Sequence, residues 1–212
     1  MNKKLIAAAG FLGYGAYVLY RSEIDDLSAG DVMADQLSAA ANAIDSGTFG
    51  MLKISNIRKA NIGLLSNANI QAMLKVIRAG EGTLNAEGYS LLYGGDRFSG
   101  YGDHPRITVK KGNYTSTAAG AYQFLESTWD ETAQILGLPD FSPTSQDIAA
   151  IGRIAARGAL ADVIAGRFDI AIRKIAREWA SMPGSPYGQP TIQLETARKI
   201  FVSSKGTLES VA

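Results

Sequence analysis

From residue 69 onward, apolar side chains return at intervals of three and four residues, and glycine or proline ends most of these runs. A chain with that period buries a continuous face only by packing helices together. Ile70, Met73, Leu74 and Ile77 make the first stripe. A second carries Tyr122, Leu125, Trp129, Ala133 and Leu136, with Ser116 or Thr117 as its cap and Gly137 as its stop. FSPTSQD opens a third, with Pro143 in the first turn and Ile148, Ile151, Ile154 and Ala155 toward the core. A short helix around residues 159–165 stops at Gly166. Phe168, Ile172, Ile175 and Trp179 mark another, ended by Pro183-Gly184, and the last carries Ile192, Ala197, Ile200 and Phe201. These stripes are read as core.

One stretch breaks the period. Tyr89, Leu91 and Tyr93 precede Gly94-Gly95 and then Asp96, Arg97 and Phe98, which predicts a small β-hairpin. YGDHPR follows as an irregular loop in which Pro105 holds His104 extended. The expected fold is mainly α with α+β character: a helical domain over residues 69–212 with one hairpin beside a cleft. Residues 23–68 read as a stem, with a helix over roughly residues 29–44 that Asp45-Ser46-Gly47 ends. The basic segment after it carries Lys53, Arg58 and Lys59.

Residues 1–22 differ in kind. LIAAAGFLGYGAYVLY, at 5–20, is uncharged, with Lys3 and Lys4 before it and Arg21, Glu23, Asp25 and Asp26 after it. A membrane span usually needs about 20 apolar residues, with about 17 near the minimum. The lysines place the N-terminus on the cytoplasmic side and the remainder across the membrane. An uncleaved signal anchor is the expectation, with a cleaved signal peptide as its rival. Glycine and alanine weaken the hold on lipid, so the anchor is expected to be releasable.

Composition removes several chemistries. The chain has no cysteine, one histidine and a net charge of +1. Disulfides, thiolate metal sites and cysteine nucleophiles are excluded, and nothing in the charge argues for nucleic acid. No cofactor and no metal are expected. One carboxylate stands out. Glu81 lies four residues past Ile77, on the same helical face, where the helix runs into glycine. Burial there penalises the charged form, and a rise from about 4.3 to roughly 6 would leave a usable acid near neutral pH. The competing reading is a solvated glutamate at a frayed helix end. Loops rich in Tyr, Gln and glycine (YGDHPR, STAAGAYQF, SMPGSPYGQP) suit a saccharide, whose faces meet flat rings and whose amides and hydroxyls meet polar side chains.

Six segments occur in a recognisable order: GEGT (80–83), GY then YGGDRFSGYGDHPR (88–106), STAAGAYQF (116–124), DFSPTSQD (140–147), RGAL (157–160) and WASMPGSPYGQP (179–190). In these the chain resembles the phage lambda endolysin type of lytic transglycosylase, which has a lysozyme-like fold. The resemblance implies cleavage of the β-1,4 bond between N-acetylmuramic acid and N-acetylglucosamine in peptidoglycan. It implies Glu81 as the catalytic acid, and Tyr122, Gln123, Tyr187 and Gln189 in the saccharide cleft. It also implies Asp103 and His104 in the hairpin-side wall. For His104, a catalytic base and a loop-ordering residue are both open readings.

A lone acid suits a transglycosylase, whereas most glycosidases pair two carboxylates, and Asp96, Asp103 and Glu126 are the available partners. A hydrolytic muramidase on the same scaffold and a non-enzymatic, membrane-anchored wall-binding virion protein are the alternatives. The expected partners are peptidoglycan strands and, through the N-terminal helix, a membrane; any holin-type or virion partner is unspecified. The expected location is the host inner membrane with the catalytic domain in the periplasm, or alternatively a virion membrane or tail.

Overall fold

The computed structural model describes residues 61–112 and 114–209; the expected anchor (5–20) and the stem helix (29–44) lie outside them. Among the described residues no helix is long and apolar enough to cross a membrane. The architecture is mostly helical, as the periodicity predicts, with one small two-stranded antiparallel sheet. Helix α1 (Ala68–Gly80) is the centre. Asn67 caps it by accepting from the Ile70 amide, and Ile70, Ala72, Met73, Leu74, Val76 and Ile77 are all buried. Each large apolar side chain buried in this way contributes about 1.5–3 kcal/mol. A helix covered on so many sides is a core element, and three later helices pack on it.

Those helices follow α2 (Glu126–Leu136) and are α3 (Pro143–Ala156), α4 (Leu160–Ala165) and α6 (Leu194–Ser203); α5 (Phe168–Ile175) packs on α4. Helix α3 begins as expected with Pro143 in the first turn, where a missing amide costs nothing, and the structure shows Ser142 as its cap. Gly137 and Gly166 end α2 and α4 in the left-handed conformation that glycine adopts without strain. Helix α5 stops at Ile175, well before Pro183-Gly184, and Trp179 is buried in the turn beyond it. Ile192 precedes α6 rather than lying on it.

The expected start of the second helix is corrected. STAAGAYQF is not helical: Ala119 pairs with Phe124 around a turn in which Gly120 has φ +77° and Gln123 has φ +49°. A Cβ at position 120 would fall 2.3 Å from Gln146 Oε1, so a distant side chain dictates the local conformation. Thr117 is nevertheless a cap across space, its Oγ1 accepting the Glu126 amide at 3.2 Å. The Gly94-Gly95 turn forms too, closed by one bridge between Leu91 and Arg97. The regular strands lie further on, β1 (Val109–Lys111) paired with β2 (Tyr114–Ser116) in the register Val109↔Ser116.

Candidate active site

Glu81 closes α1. Its amide donates to the Ile77 carbonyl at 3.0 Å, and Gly82, at φ +71°, turns the chain away from the helix axis. Gly80 matters because of what passes beside it. A Cβ there would sit 2.3 Å from Met182 Cε and 2.8 Å from Ser181 Oγ. The bare backbone admits the 181–182 segment, and Ser181 Oγ donates to Glu81 Oε1 at 2.6 Å. The carboxyl is half-buried, and desolvation pushes its pKa from 4.5 to about 7, with the Ser181 hydrogen bond pulling the other way. A group so placed holds its proton at mildly acid pH and gives it up near neutrality, which is what a general acid needs.

Two turns flank this carboxyl. Thr83, two residues on and buried, donates its hydroxyl to the Ala121 carbonyl, tying the Glu81 turn to the 120–124 turn. Ser181, on the other side, stands at the base of a loop that the Ile192 amide closes by donating to the Ser181 carbonyl at 2.8 Å. The Trp179 indole donates to the Tyr122 carbonyl at 3.2 Å and joins the two sides behind the acid. Below the loop, Glu178 receives Arg153 and Arg157, both at 2.7 Å, which fixes the 177–181 turn to α3 and its C-terminal cap.

The expected site residues are distributed unevenly over this frame. Gln123 is partly exposed on the 120–124 turn, its positive φ holding it there while its Nε2 donates to the Gly120 carbonyl at 3.0 Å. A non-glycine residue in that conformation carries strain that the surrounding contacts must sustain. Tyr187 and Gln189 lie exposed on the 181–192 loop, and the Tyr187 hydroxyl donates to the Arg177 carbonyl at 2.8 Å. Tyr122 faces inward: 1% exposed, its hydroxyl donates to Asp147 Oδ1 at 2.6 Å. It is a core residue, and its carbonyl accepts the Trp179 indole behind the acid.

Asp103 and His104 order their own loop. The His104 ring is 3% exposed, with Nε2 2.9 Å from the Phe124 carbonyl and Nδ1 accepting the Arg106 amide at 3.2 Å. That pair of partners defines the neutral Nε2–H tautomer, and burial pushes its pKa down. Both nitrogens are committed, which leaves none for a base. Asp103 Oδ1 accepts the His104 amide at 2.7 Å and the Trp129 indole at 3.2 Å, while Oδ2 pairs with Arg106 at 2.9 Å. Burial works to raise its pKa, but these donors outweigh it and hold it low.

Of the other possible acid partners, Glu126 pairs with Arg106 at 2.8 Å and Asp96 is exposed. Sequence reasoning did not single out Ser181, although the segment WASMPGSPYGQP contains it. Its contact with Glu81 spans 100 residues of chain, which no spacing argument reaches. Arg78, Tyr89 and Asp147, behind the Glu81 turn, were missed as well.

Comparisons with known proteins identify the relatives of this chain and match its fold. A family model described as Endolysin matches residues 71–208. The endolysin of Escherichia phage lambda is 36% identical over 168 residues, covering 76% of this chain and 99% of that protein. The endolysin of Escherichia phage P2 is 37% identical over 158 residues, covering 66% of this chain and 95% of its own. The solved structure of bacteriophage lambda lysozyme complexed with a chitohexasaccharide superimposes with a TM-score of 0.65 at 37% identity, covering 68% of this chain and 97% of that one.

Proposed function

This chain belongs to the endolysin family, and within it we propose that the protein is a lytic transglycosylase that cleaves the MurNAc-β-1,4-GlcNAc bond of peptidoglycan. Glu81 protonates the glycosidic oxygen as the C1–O bond breaks. The resulting carboxylate takes the proton of the muramic acid C6 hydroxyl, whose oxygen closes on C1 to give a 1,6-anhydro sugar. Glu81 ends protonated again, so acid and base duties fall to one group in sequence. The substrate's own N-acetyl group stabilises the intermediate, as in the substrate-assisted exceptions to two-carboxylate catalysis. The observation that supports a single-acid route is the origin of the raised pKa of Glu81: burial lifts it and a neutral serine opposes, with no second carboxylate among the described residues involved.

A solved relative holds a chitohexasaccharide, which favours a glycan cleft between the 120–124 turn and the 181–192 loop, with Gln123, Tyr187 and Gln189 on its rim. Mass spectrometry of digested sacculi tests the reaction. Anhydro-muramic ends support the transglycosylase, whereas reducing muramic ends would make the protein a hydrolytic muramidase. Wild-type protein that binds sacculi and releases nothing would leave only a wall-binding role.

For delivery, residues 5–20 are proposed to anchor the protein in the host inner membrane, with the catalytic domain in the periplasm and held until release; the uncharged run supports this. Membrane fractionation before and after collapse of the membrane potential tests it. Protein that stays in the pellet throughout would overturn the release step, and protein found in purified particles would move the site of action to the virion.

A further inference from the structure

Arg78 stands three residues before Glu81 and grips the turn that follows it. Its Nε and Nη2 donate to the Thr83 carbonyl at 3.3 and 3.0 Å, and Nη2 also donates to the Asn85 carbonyl at 2.8 Å. The Arg78 carbonyl in turn accepts the Thr83 amide at 2.8 Å. Side chain and main chain therefore close on the same residues. The guanidinium carbon lies 4.4 Å from the centroid of the Tyr89 ring, and Nη1 reaches the Tyr89 hydroxyl at 3.3 Å. That hydroxyl donates to Asp147 Oδ1 at 2.8 Å, the same oxygen that accepts from Tyr122.

The relay ends on α3, where Gln146 adds a second hold. Its Oε1 accepts the Ala121 amide at 2.8 Å, and its Nε2 donates to the Tyr89 carbonyl at 3.0 Å. The Ala121 carbonyl accepts the Thr83 hydroxyl, which returns the circuit to the Glu81 turn. A guanidinium with a carboxylate one tyrosine away would ordinarily pair with it directly. Here the fork is committed to two main-chain carbonyls while it stacks on the Tyr89 ring, a combination that suits the planar guanidinium and not the compact point charge of a lysine ammonium.

We propose that Arg78, acting through Tyr89 and Asp147, is a positioning residue that fixes the Glu81 turn against the turn carrying Gln123. The proposal rests on Glu81 being the acid. Charge is not the means, since burial and Ser181 are what move the Glu81 carboxyl. A misplacement of about 1 Å can cost roughly 100-fold in rate, so a turn held by this circuit matters to turnover more than to binding.

The experiment measures turnover against sacculus concentration and pH for the purified full chain, alongside thermal unfolding and an Arg78→Ala control for loss of the whole side chain. Arg78→Lys keeps the charge and loses the fork: kcat falls about 10–100-fold, with KM within about twofold and an unmoved alkaline limb. Tyr89→Phe keeps the ring under the guanidinium but cuts the relay, so kcat falls about 3–10-fold. Wild-type kcat in folded Arg78→Lys overturns the proposal, and so does a lysine variant whose loss appears as a shifted pH limb, because charge would then be the means. If the lysine variant does not fold, Tyr89→Phe decides, and wild-type turnover there overturns the proposal. A Glu81→Gln control that still cleaves would instead sink the assignment of the acid.

Discussion

Glu81 and Asp103 are both carboxylates on irregular backbone, and each accepts a hydrogen bond from a side chain far along the chain: Ser181 for one, Trp129 for the other. Their pKa values move in opposite directions. Asp103 is exposed and receives a guanidinium, an amide and an indole N–H, so its charge is stabilised and it stays ionised. Glu81 is desolvated and receives one neutral hydroxyl, which leaves it protonated up to about pH 7. Hydrogen bonding alone does not make a carboxylate reactive. What separates the two is how much of the lost hydration the donors replace.

The largest expected effect breaks the Glu81 side. Glu81→Gln keeps an acceptor for Ser181 and removes the transferable proton, so cleavage falls by about 10²–10⁴-fold, measured as released muropeptide at pH 6. The same change should alter stability in a pH-dependent way. The folded pKa of about 7 stands above 4.5, so the contribution of Glu81 to stability is full below the unfolded value. It is lost as pH rises through 7, a difference of roughly 3 kcal/mol at about 1.4 kcal/mol per pH unit. Thermal unfolding should show wild type losing stability between pH 4.5 and pH 8 relative to Glu81→Gln. Parallel curves would mean that the carboxyl is solvated after all.

On the other side, His104→Ala should cost stability and spare the chemistry. It leaves the Phe124 carbonyl without its donor, worth about 1–3 kcal/mol, and removes a ring packed edge-on 5.0 Å from Phe141. Denaturant unfolding reads the loss, and activity per folded molecule should hold. Because burial depresses the His104 pKa below 6.5, its stabilising contribution is present above that pH and lost as pH falls. The variant should therefore be less acid-sensitive than wild type. A collapse of kcat in a folded His104→Ala protein would return the histidine to the catalytic machinery.

The sequence carried the same contrast only in part. Most helices were legible because burial imposes a period: Ile70, Met73, Leu74 and Ile77 are all inside, and Pro143 and Gly166 bound their helices as expected. Glu81 was legible because it continues that period into glycine. The turn at 120–124 was not, since Gln146 and Asp147 dictate it from another helix. Local periodicity there predicts a helix that tertiary contacts override. The strands at 109–116 left a weaker signal, Val109 and Tyr114-Thr115 around Gly112, in a run too short for alternation to show. Tyr122 was expected in the cleft by resemblance, and its ring is buried in the core.

The smallest expected effect is also the most discriminating. Ser181→Ala removes the one hydrogen bond from the described residues that favours the ionised form of Glu81, leaving desolvation unopposed. The alkaline limb of the pH–activity profile, set near pH 7 in the wild type, should then move upward. A neutral hydrogen bond contributes about 0.5–1.5 kcal/mol, which at about 1.4 kcal/mol per pH unit limits the movement to roughly one unit. Turnover well below the limb should change by only a few-fold, since the acid is protonated there in both proteins. An unmoved limb would mean that water replaces the serine hydroxyl at Glu81 Oε1, and that the carboxyl is less desolvated than its contacts require. A downward limb would mean that Ser181 had been holding the proton on Glu81, reversing the direction of the hydrogen bond on which the contrast with Asp103 depends.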